Sequence, residues 1–266
     1  MTQVLNQPRP ALEISLDLQR LMLRMKGEFM DDFGQGVDYA KLKTSELFKI
    51  YLSKSRELSN ADINTLNENQ RKAFFINTYN ALTLHGLAVS ETPLASVLDV
   101  TNFWSKTSYN IGGNIYSLDD IEHGILRSNK PHPSSTTPLF LSHDPRLKFV
   151  MEELDPRIHF ALVCGAKSCP AINVYSERNL DNALKAASIN FLAQEVNVDI
   201  NEKRVILSKI LDWYGTDFGA TPREVVEWIV PYISDETDLK SLLDETKQEN
   251  NLEVIYSDYN WKLNKV

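Results

Sequence analysis

A predicted helix in the first third of the chain, from about Asn67 to Ala88, constrains the fold more than any other feature. Over its middle part, Phe74–Ala88, apolar side chains occur nearly all round a helix of 3.6 residues per turn. A helix without a polar face is expected to be buried, so we predict that it forms the centre of the fold. Asn77 and Asn80 lie three residues apart on it. Each must find hydrogen-bond partners, because a buried amide without them costs about 1–3 kcal/mol.

Short strand patterns flank turn residues at two places. Residues 108–111 and 115–117 surround a Gly112-Gly113-Asn114 turn, and residues 196–200 and 204–208 surround a second turn, so both regions predict β-hairpins. Between these hairpins, Ser117-Leu118-Asp119-Asp120 resembles a capping box and predicts a helix that runs to Arg127.

The apolar run Ile158–Cys164 predicts a short buried strand that ends at Gly165. The fold class that follows is α+β, a mostly helical single domain with a central buried helix, a short buried strand and small β-hairpins. We expect residues 1–10 to be flexible and residues 11–266 to form the domain. Further helices are predicted over residues 11–30, 44–52, 179–195, 209–214, 221–233 and 235–248.

Charge and cysteine content exclude several classes of protein. The chain has 28 Lys and Arg against 36 Asp and Glu, a formal net charge of −8, which disfavours a nucleic-acid partner. Its two cysteines cannot build the disulfide framework of a small secreted domain. The sequence lacks an apolar run of the roughly 18–20 residues that span a bilayer and lacks a secretory signal pattern. We therefore expect a cytoplasmic protein with no membrane span.

Cys164 and Cys169 lie on either side of the predicted strand end and are the candidate nucleophiles. Gly165 allows a close approach, Lys167 can lower a thiol pKa, and Ser168 with the loop amides can hold an oxyanion. The alternative is that Cys164 is a small buried apolar residue at the end of a core strand.

Histidines supply the candidate general bases. His123, which follows Glu122 on the predicted helix, and His159 lie in ordered, apolar-rich segments. His132 and His143 lie among loop prolines and polar residues and are expected to be solvated. The Cys-x4-Cys spacing is loose for zinc and lacks the Cys-x-x-Cys pattern of redox motifs, so we predict no metal site and no cofactor.

Three segments carry a resemblance to a known family. Phe74–His85 (FFINTYNALTLH), Tyr116–Arg127 (YSLDDIEHGILR) and His159–Ile172 (HFALVCGAKSCPAI) resemble the DUF547 domain, and Leu207–Phe218 (LSKILDWYGTDF) resembles sequence that accompanies it. The core motifs span about residues 67–218. The resemblance implies a module found in bacteria and eukaryotes, in some proteins beside glutaredoxin-like or DEP modules, and it supplies no established catalytic residue.

The motif residues divide into two candidate groups. The candidate catalytic residues are Cys169, Cys164, His123, His159 and Glu122. The candidate ligand-binding residues are Asn77, Asn80, His85, Arg127, Lys167 and Ser168. We expect the loop Gly165–Pro170 to line the largest cavity, together with His123 and at least one of Asn77 and Asn80.

Three functions fit these residues. The first is a thiol-dependent hydrolase or acyl transferase with a cysteine nucleophile and a histidine base. The second is a non-catalytic module that binds a small molecule, a peptide or a protein, in which the polar motif residues fix the fold. The third is a metal-binding or redox protein. The sequence by itself does not decide between an enzyme and a binding module.

Overall fold

The structure, a computed structural model, describes residues 9–90, 94–233, 236–247 and 252–266. The chain divides into two compact units, residues 1–180 with 261–266 and residues 181–260. Helices predominate and the sheets are small, which confirms the predicted α+β class. The single-domain boundary at residues 11–266 stays a prediction. Residues 1–8 of the predicted flexible segment lie outside the described residues, and Arg9–Pro10 form a short strand.

The first unit is built from helices with two small two-stranded sheets. Strands β1 and β2 pair in parallel, and strands β3 and β4 pair antiparallel. In chain order its elements are β1 (Arg9–Pro10), α1 (Ala11–Phe29), α2 (Tyr39–Thr44), α3 (Glu46–Ser55), β2 (Ala61–Asp62), α4 (Glu68–Ala88), α5 (Phe103–Lys106), β3 (Ser108–Ile111), β4 (Asn114–Ser117) and a π-helix (Asp120–Leu126). Short 3-10 helices at Arg56–Asn60, Ile63–Thr65, Val97–Asp99, Pro145–Phe149 and Pro156–Phe160 complete it.

Helix α4 is the central helix of this unit, as predicted. It begins at a capping box in which the Asn67 side chain accepts from the Gln70 N–H and the Gln70 side chain accepts from the Asn67 N–H. From Ala73 to Leu84 every side chain is buried, including Asn77 and Asn80. Helices α1 and α2 and the π-helix pack against it.

The first predicted hairpin is confirmed with its register. Ser108 lies opposite Ser117, and Ile111 lies opposite Asn114. The turn uses Gly112 and Gly113, which have φ angles of 56° and 85°. Residues with side chains adopt such angles at a cost, so the glycine pair explains why the chain reverses here.

The predicted strand over residues 158–164 is wrong, although the segment is buried. Pro156–Phe160 form a 3-10 helix, and the chain continues to Cys164 without a strand partner. Asn80 takes the place of a neighbouring strand, because its Nδ2 donates to Ala161 O (2.9 Å) and its Oδ1 accepts from the Val163 N–H (2.9 Å). The Asn80 side-chain amide therefore hydrogen-bonds two backbone groups that the predicted sheet would have paired with a neighbouring strand.

The C-terminal residues 261–266 belong to the first unit and hold the loop that follows residue 164. Leu263 forms an antiparallel bridge with Ala166. The Asn264 N–H donates to Gly165 O, and the Lys167 N–H donates to Lys262 O, both at 2.9 Å. The loop around Gly165 is thus held on one side by the C-terminal residues.

The second unit contains a three-stranded sheet and helices. The strand order of this sheet is β5-β6-β7. Strands β5 and β6 are antiparallel, which confirms the second predicted hairpin. Strands β6 and β7 are parallel. Of the helices predicted here, the last was placed over residues 235–248, whose ends lie outside the described residues. The elements are α6 (Leu180–Glu195, beginning at the last residue of the first unit), β5 (Asn197–Asp199), β6 (Arg204–Leu207), α7 (Ile210–Trp213), α8 (Gly215–Phe218), α9 (Pro222–Ile229), a 3-10 helix (Val230–Tyr232), α10 (Thr237–Glu245) and β7 (Glu253–Tyr256).

Among the helices of the described residues, none combines the length and the apolar character that crossing a bilayer would require.

Candidate functional site

The π-helix Asp120–Leu126 follows directly from β4 and positions the site. The predicted capping box is present, since the Asp120 N–H donates to Ser117 Oγ (3.1 Å) and the Ser117 N–H donates to Asp120 Oδ2 (2.9 Å). The predicted helix is a π-helix, in which each N–H bonds to the carbonyl five residues back. At its end, for example, the Arg127 N–H donates to the Glu122 carbonyl at 2.8 Å. Such turns are rare and occur frequently at functional sites.

Asp119, His123 and His132 converge at this helix. Each offers one potential metal-ligand atom, and the three atoms lie within 4.8 Å of one another. His123 Nε2 is 4.0 Å from Asp119 Oδ1, and the His123 and His132 rings cross at 83° with centroids 4.7 Å apart. His123 is buried, whereas Asp119 and His132 are half-buried. The cluster is therefore anchored in the core and reachable from solvent through its two outer members.

Arg127 sets the tautomer of His123. Its Nη1 lies 2.9 Å from His123 Nδ1, and because a guanidinium only donates, Nδ1 accepts and Nε2 carries the proton. Burial has the largest effect on the pKa of His123 and lowers it; Glu122 raises this pKa, Arg127, His132 and His159 lower it, and the result is a pKa of about 4. His123 is consequently a neutral imidazole near pH 7, the form in which histidine binds metals or accepts protons.

The same arginine ties the loop that carries His132 to the helix. Arg127 Nη1 also donates to Pro131 O at 2.8 Å. Within the loop, the Ser134 N–H donates to His132 Nδ1 at 3.0 Å. Nδ1 is therefore occupied by this bond, and Nε2 is the ring nitrogen that remains for other contacts. His132 is thus a half-buried loop residue whose neighbour Pro131 is fixed by Arg127.

Carboxylates surround the cluster. Burial raises the pKa of Asp119 to about 6, and the charges of Glu122 and Asp120 contribute in the same direction. Glu122 is buried, accepts a 2.9 Å hydrogen bond from the Tyr79 hydroxyl, and raises the pKa of both His123 and His132. These carboxylates place negative charge beside the two histidines, and the Arg127 guanidinium offsets part of it.

Asn77 and Asn80, predicted to bind ligand, both bond to loop backbone. Asn77 Nδ2 donates to Tyr175 O (2.6 Å) and its Oδ1 accepts from the Tyr175 N–H (2.9 Å). Asn80 holds residues 161 and 163 in the same way. The sequence argument that both amides need partners is confirmed, and the partners are main-chain groups that shape the fold.

Cys164 and Cys169 form a disulfide with each other, with Cα atoms 6.3 Å apart. Cys164 is half-buried and Cys169 is buried, so it is Cys169 and not Cys164 that is fully buried. In the same loop, the Lys167 side chain is exposed and Ser168 is half-buried. His159 is buried, and its charge would act on His123, which places it near the cluster.

His85 lies apart from these residues, in an aromatic cluster where its Nδ1 is 2.8 Å from the Tyr109 hydroxyl. A small cavity with room for about one water molecule lies between α1 and α4, and Asn77 and Tyr109 are among the residues that line it. Neither His123 nor the loop Gly165–Pro170 lines that cavity, so the expected shared cavity stays a prediction.

Sequence reasoning missed Asp119 and His132 as site residues. Asp119 precedes His123 by four positions, a spacing that places two side chains on the same face of a helix, and this signal was present in the sequence. His132 had no such signal. It reaches the site because the chain turns after the π-helix, where Ser128 and Asn129 have positive φ angles of 54° and 57°.

Comparison with known proteins relates part of this chain to a family. Searches of curated proteins and of solved structures found no significant match. Residues 63–192, which include the central helix, the π-helix, the histidine cluster and the disulfide loop, match the family described as "Protein of unknown function, DUF547". The resemblance expected from the motifs is thereby confirmed, and residues 63–192 of this chain are similar to the DUF547 domain.

Proposed function

We propose that this protein binds a divalent transition-metal ion through Asp119, His123 and His132 and uses it to activate water for a hydrolytic reaction. The convergence of three ligand atoms within 4.8 Å carries the proposal. It departs from the sequence prediction of no metal site, because that prediction considered only cysteine–histidine combinations.

The spacing of the ligands is close to that of a bound ion. Zinc lies about 2.0–2.2 Å from nitrogen and oxygen ligands, so neighbouring ligand atoms in a tetrahedral site are roughly 3.4 Å apart. The 4.0 Å between His123 Nε2 and Asp119 Oδ1 exceeds this by a distance that a small side-chain rotation covers. The half-buried Asp119 and His132 have the room to make that movement.

The donor set narrows the choice of metal. Two imidazoles and one carboxylate suit zinc and ferrous iron, whereas magnesium and calcium prefer oxygen ligands. Three protein ligands leave coordination positions for water, as in catalytic rather than structural zinc sites. A metal-bound water needs a proton acceptor, and Glu122 is the candidate because its charge acts on both histidines of the cluster.

Metal binding would change the protonation of this site. His123 Nε2 carries the proton while Arg127 donates to Nδ1. An ion at Nε2 needs the other tautomer of the neutral ring, so the proton would move to Nδ1, and Arg127 Nη1 would lose this bond but keep its bond to Pro131 O. Asp119 must be ionised to bind the ion, and because its pKa is raised to about 6, we expect the metal affinity to rise with pH through that range.

The thiol-dependent hydrolase predicted from the sequence requires a thiolate at Cys164 or Cys169. Both cysteines of the chain are joined to each other here, so neither is a nucleophile in this state. That function applies only to the reduced protein. The metal site needs no change in the cysteines, and for this reason we favour it.

Zinc and cobalt titration tests the proposal. Wild-type protein should bind one equivalent of either ion, more tightly at pH 7.5 than at pH 5.5, and cobalt should give the visible absorption of a four- or five-coordinate site. His132→Gln should weaken binding about 100-fold. The matched control is His143→Gln, which removes an exposed histidine of the same loop region and should bind as the wild type does. Equal zinc affinity in both variants would overturn the assignment.

A further inference from the structure

We infer that the Cys164–Cys169 pair is a reversible dithiol–disulfide centre that exchanges with an external dithiol. This activity goes beyond the proposed metal site and does not depend on it. The pair lies within residues 164–169 of the first unit, in a loop whose frame is held by other contacts.

The two sulfur atoms differ in access. Cys164 is half-buried, whereas Cys169 is only 6% exposed. A thiolate must approach the sulfur that it attacks, so attack is directed to Cys164. Cys169 is then the leaving group.

The leaving sulfur already has a hydrogen-bond donor. The backbone N–H of Cys164 points to Cys169 Sγ at 3.1 Å. Hydrogen bonds stabilise a thiolate relative to a thiol, and a more stable thiolate leaves faster. The geometry therefore assigns the attacked and the released sulfur consistently.

Opening the disulfide need not disturb the loop. Gly165 O accepts from the Asn264 N–H, Lys167 donates its N–H to Lys262 O, and the Cys169 N–H donates to Ala166 O at 3.1 Å. These main-chain bonds remain when the sulfur–sulfur bond breaks. A disulfide within such a frame can cycle between its two states without local unfolding.

The exchange with an external dithiol takes place in two steps. A thiolate of the external dithiol attacks Cys164 Sγ, a mixed disulfide forms, the bond to Cys169 breaks, and Cys169 leaves as a thiolate. The second thiolate of the dithiol then attacks its own sulfur in the mixed disulfide and releases Cys164 as a thiolate. Two electrons pass to the cysteine pair, and the external dithiol becomes a disulfide.

Equilibration with reduced and oxidised dithiothreitol, without denaturant, tests the inference. Samples are quenched with a maleimide of high mass, and the modified thiols are counted by gel shift. We expect one transition between no modified and two modified thiols, with an unchanged circular dichroism spectrum. A bond that opens only in denaturant, or whose opening unfolds the protein, would show a structural disulfide and overturn the inference.

The direction of attack has its own test. The thiol left in Cys169→Ser should react with an aromatic disulfide about tenfold faster than the thiol left in Cys164→Ser, because Cys164 is the more accessible. In wild-type protein treated with glutathione, mass spectrometry should find the trapped mixed disulfide on Cys164, a result that needs no variant to fold. Glutathione on Cys169, or faster reaction at Cys169, contradicts the assignment. Neither readout requires metal, so failure here leaves the metal proposal intact.

Discussion

Two histidine clusters in the first unit show that buried histidines have different roles when their neighbours differ. His85 lies among Phe48, Tyr51 and Tyr109, its Nδ1 bonded to the Tyr109 hydroxyl, which in turn lies 2.8 Å from the Tyr51 hydroxyl. In the other cluster, His123 meets a carboxylate, a second histidine and a guanidinium.

The difference between the clusters lies in what their polar atoms face. Around His85 the hydroxyls bond to one another, so the cluster is closed within itself. Around His123, the Nε2 atom and Asp119 Oδ1 are 4.0 Å apart, which is too far for a hydrogen bond, and the three potential ligand atoms lie within 4.8 Å of one another, so that one ion could contact all three. Burial of a histidine therefore does not indicate function, and the arrangement of its neighbours does.

The largest effect should come from the carboxylate of the proposed metal site. Asp119→Asn removes the charged ligand, and we expect zinc affinity to fall about 100-fold, equal to about 2.7 kcal/mol of binding free energy. Tyr109→Phe, made in the closed cluster, should leave the affinity unchanged. Calorimetric titration of the two variants side by side checks this. Loss of affinity in Tyr109→Phe would remove the distinction between the clusters.

A smaller effect is expected from the residue that supports the ligands. Arg127 holds the backbone of Pro131, next to His132, so Arg127→Gln should loosen that histidine and weaken zinc binding about tenfold. The same titration measures it, with Arg24→Gln on the exposed face of α1 as the control. An unchanged affinity with normal folding would show that Arg127 has no positioning role.

The closed cluster should matter for stability alone. Tyr109→Phe deprives His85 and Tyr51 of their shared partner, and we expect the free energy of unfolding to fall by about 1 kcal/mol. Urea unfolding in the absence of metal measures it. A stability equal to that of wild type would mean that water replaces the hydroxyl without loss.

The smallest effect concerns pH. Burial lowers the pKa of His85 below its ordinary value, so the unfolded chain, with a histidine pKa of about 6.5, binds the proton more readily. The contribution to stability is complete above about pH 6.5 and is lost as the pH falls through the lowered pKa. His85→Gln should lose less stability than wild type between about pH 7.5 and pH 5. The His143→Gln control should follow wild type, and parallel curves for all three proteins would contradict the prediction.

Local patterns predicted the elements whose cause is local. The capping box at Ser117 and Asp120, the glycine turn at residues 112–113 and the apolar α4 helix depend on neighbours a few positions away, and all three are present. The strand over residues 158–164 failed because an apolar run shows that a segment is buried and does not show what pairs with its backbone. Here Asn80, about 80 residues earlier in the chain, supplies that pairing.

The sequence by itself determined the resemblance to the DUF547 domain, the helical α+β class, the buried central helix and the need of its two amides for partners. These follow from periodicity and from the high free energy of burying an unsatisfied polar group. Tertiary structure alone decided that Cys164 bonds to Cys169, that the C-terminal residues hold their loop, and that His132 meets Asp119 and His123. Chemistry at a site depends on distances of a few ångströms between side chains, and only the folded chain determines those distances.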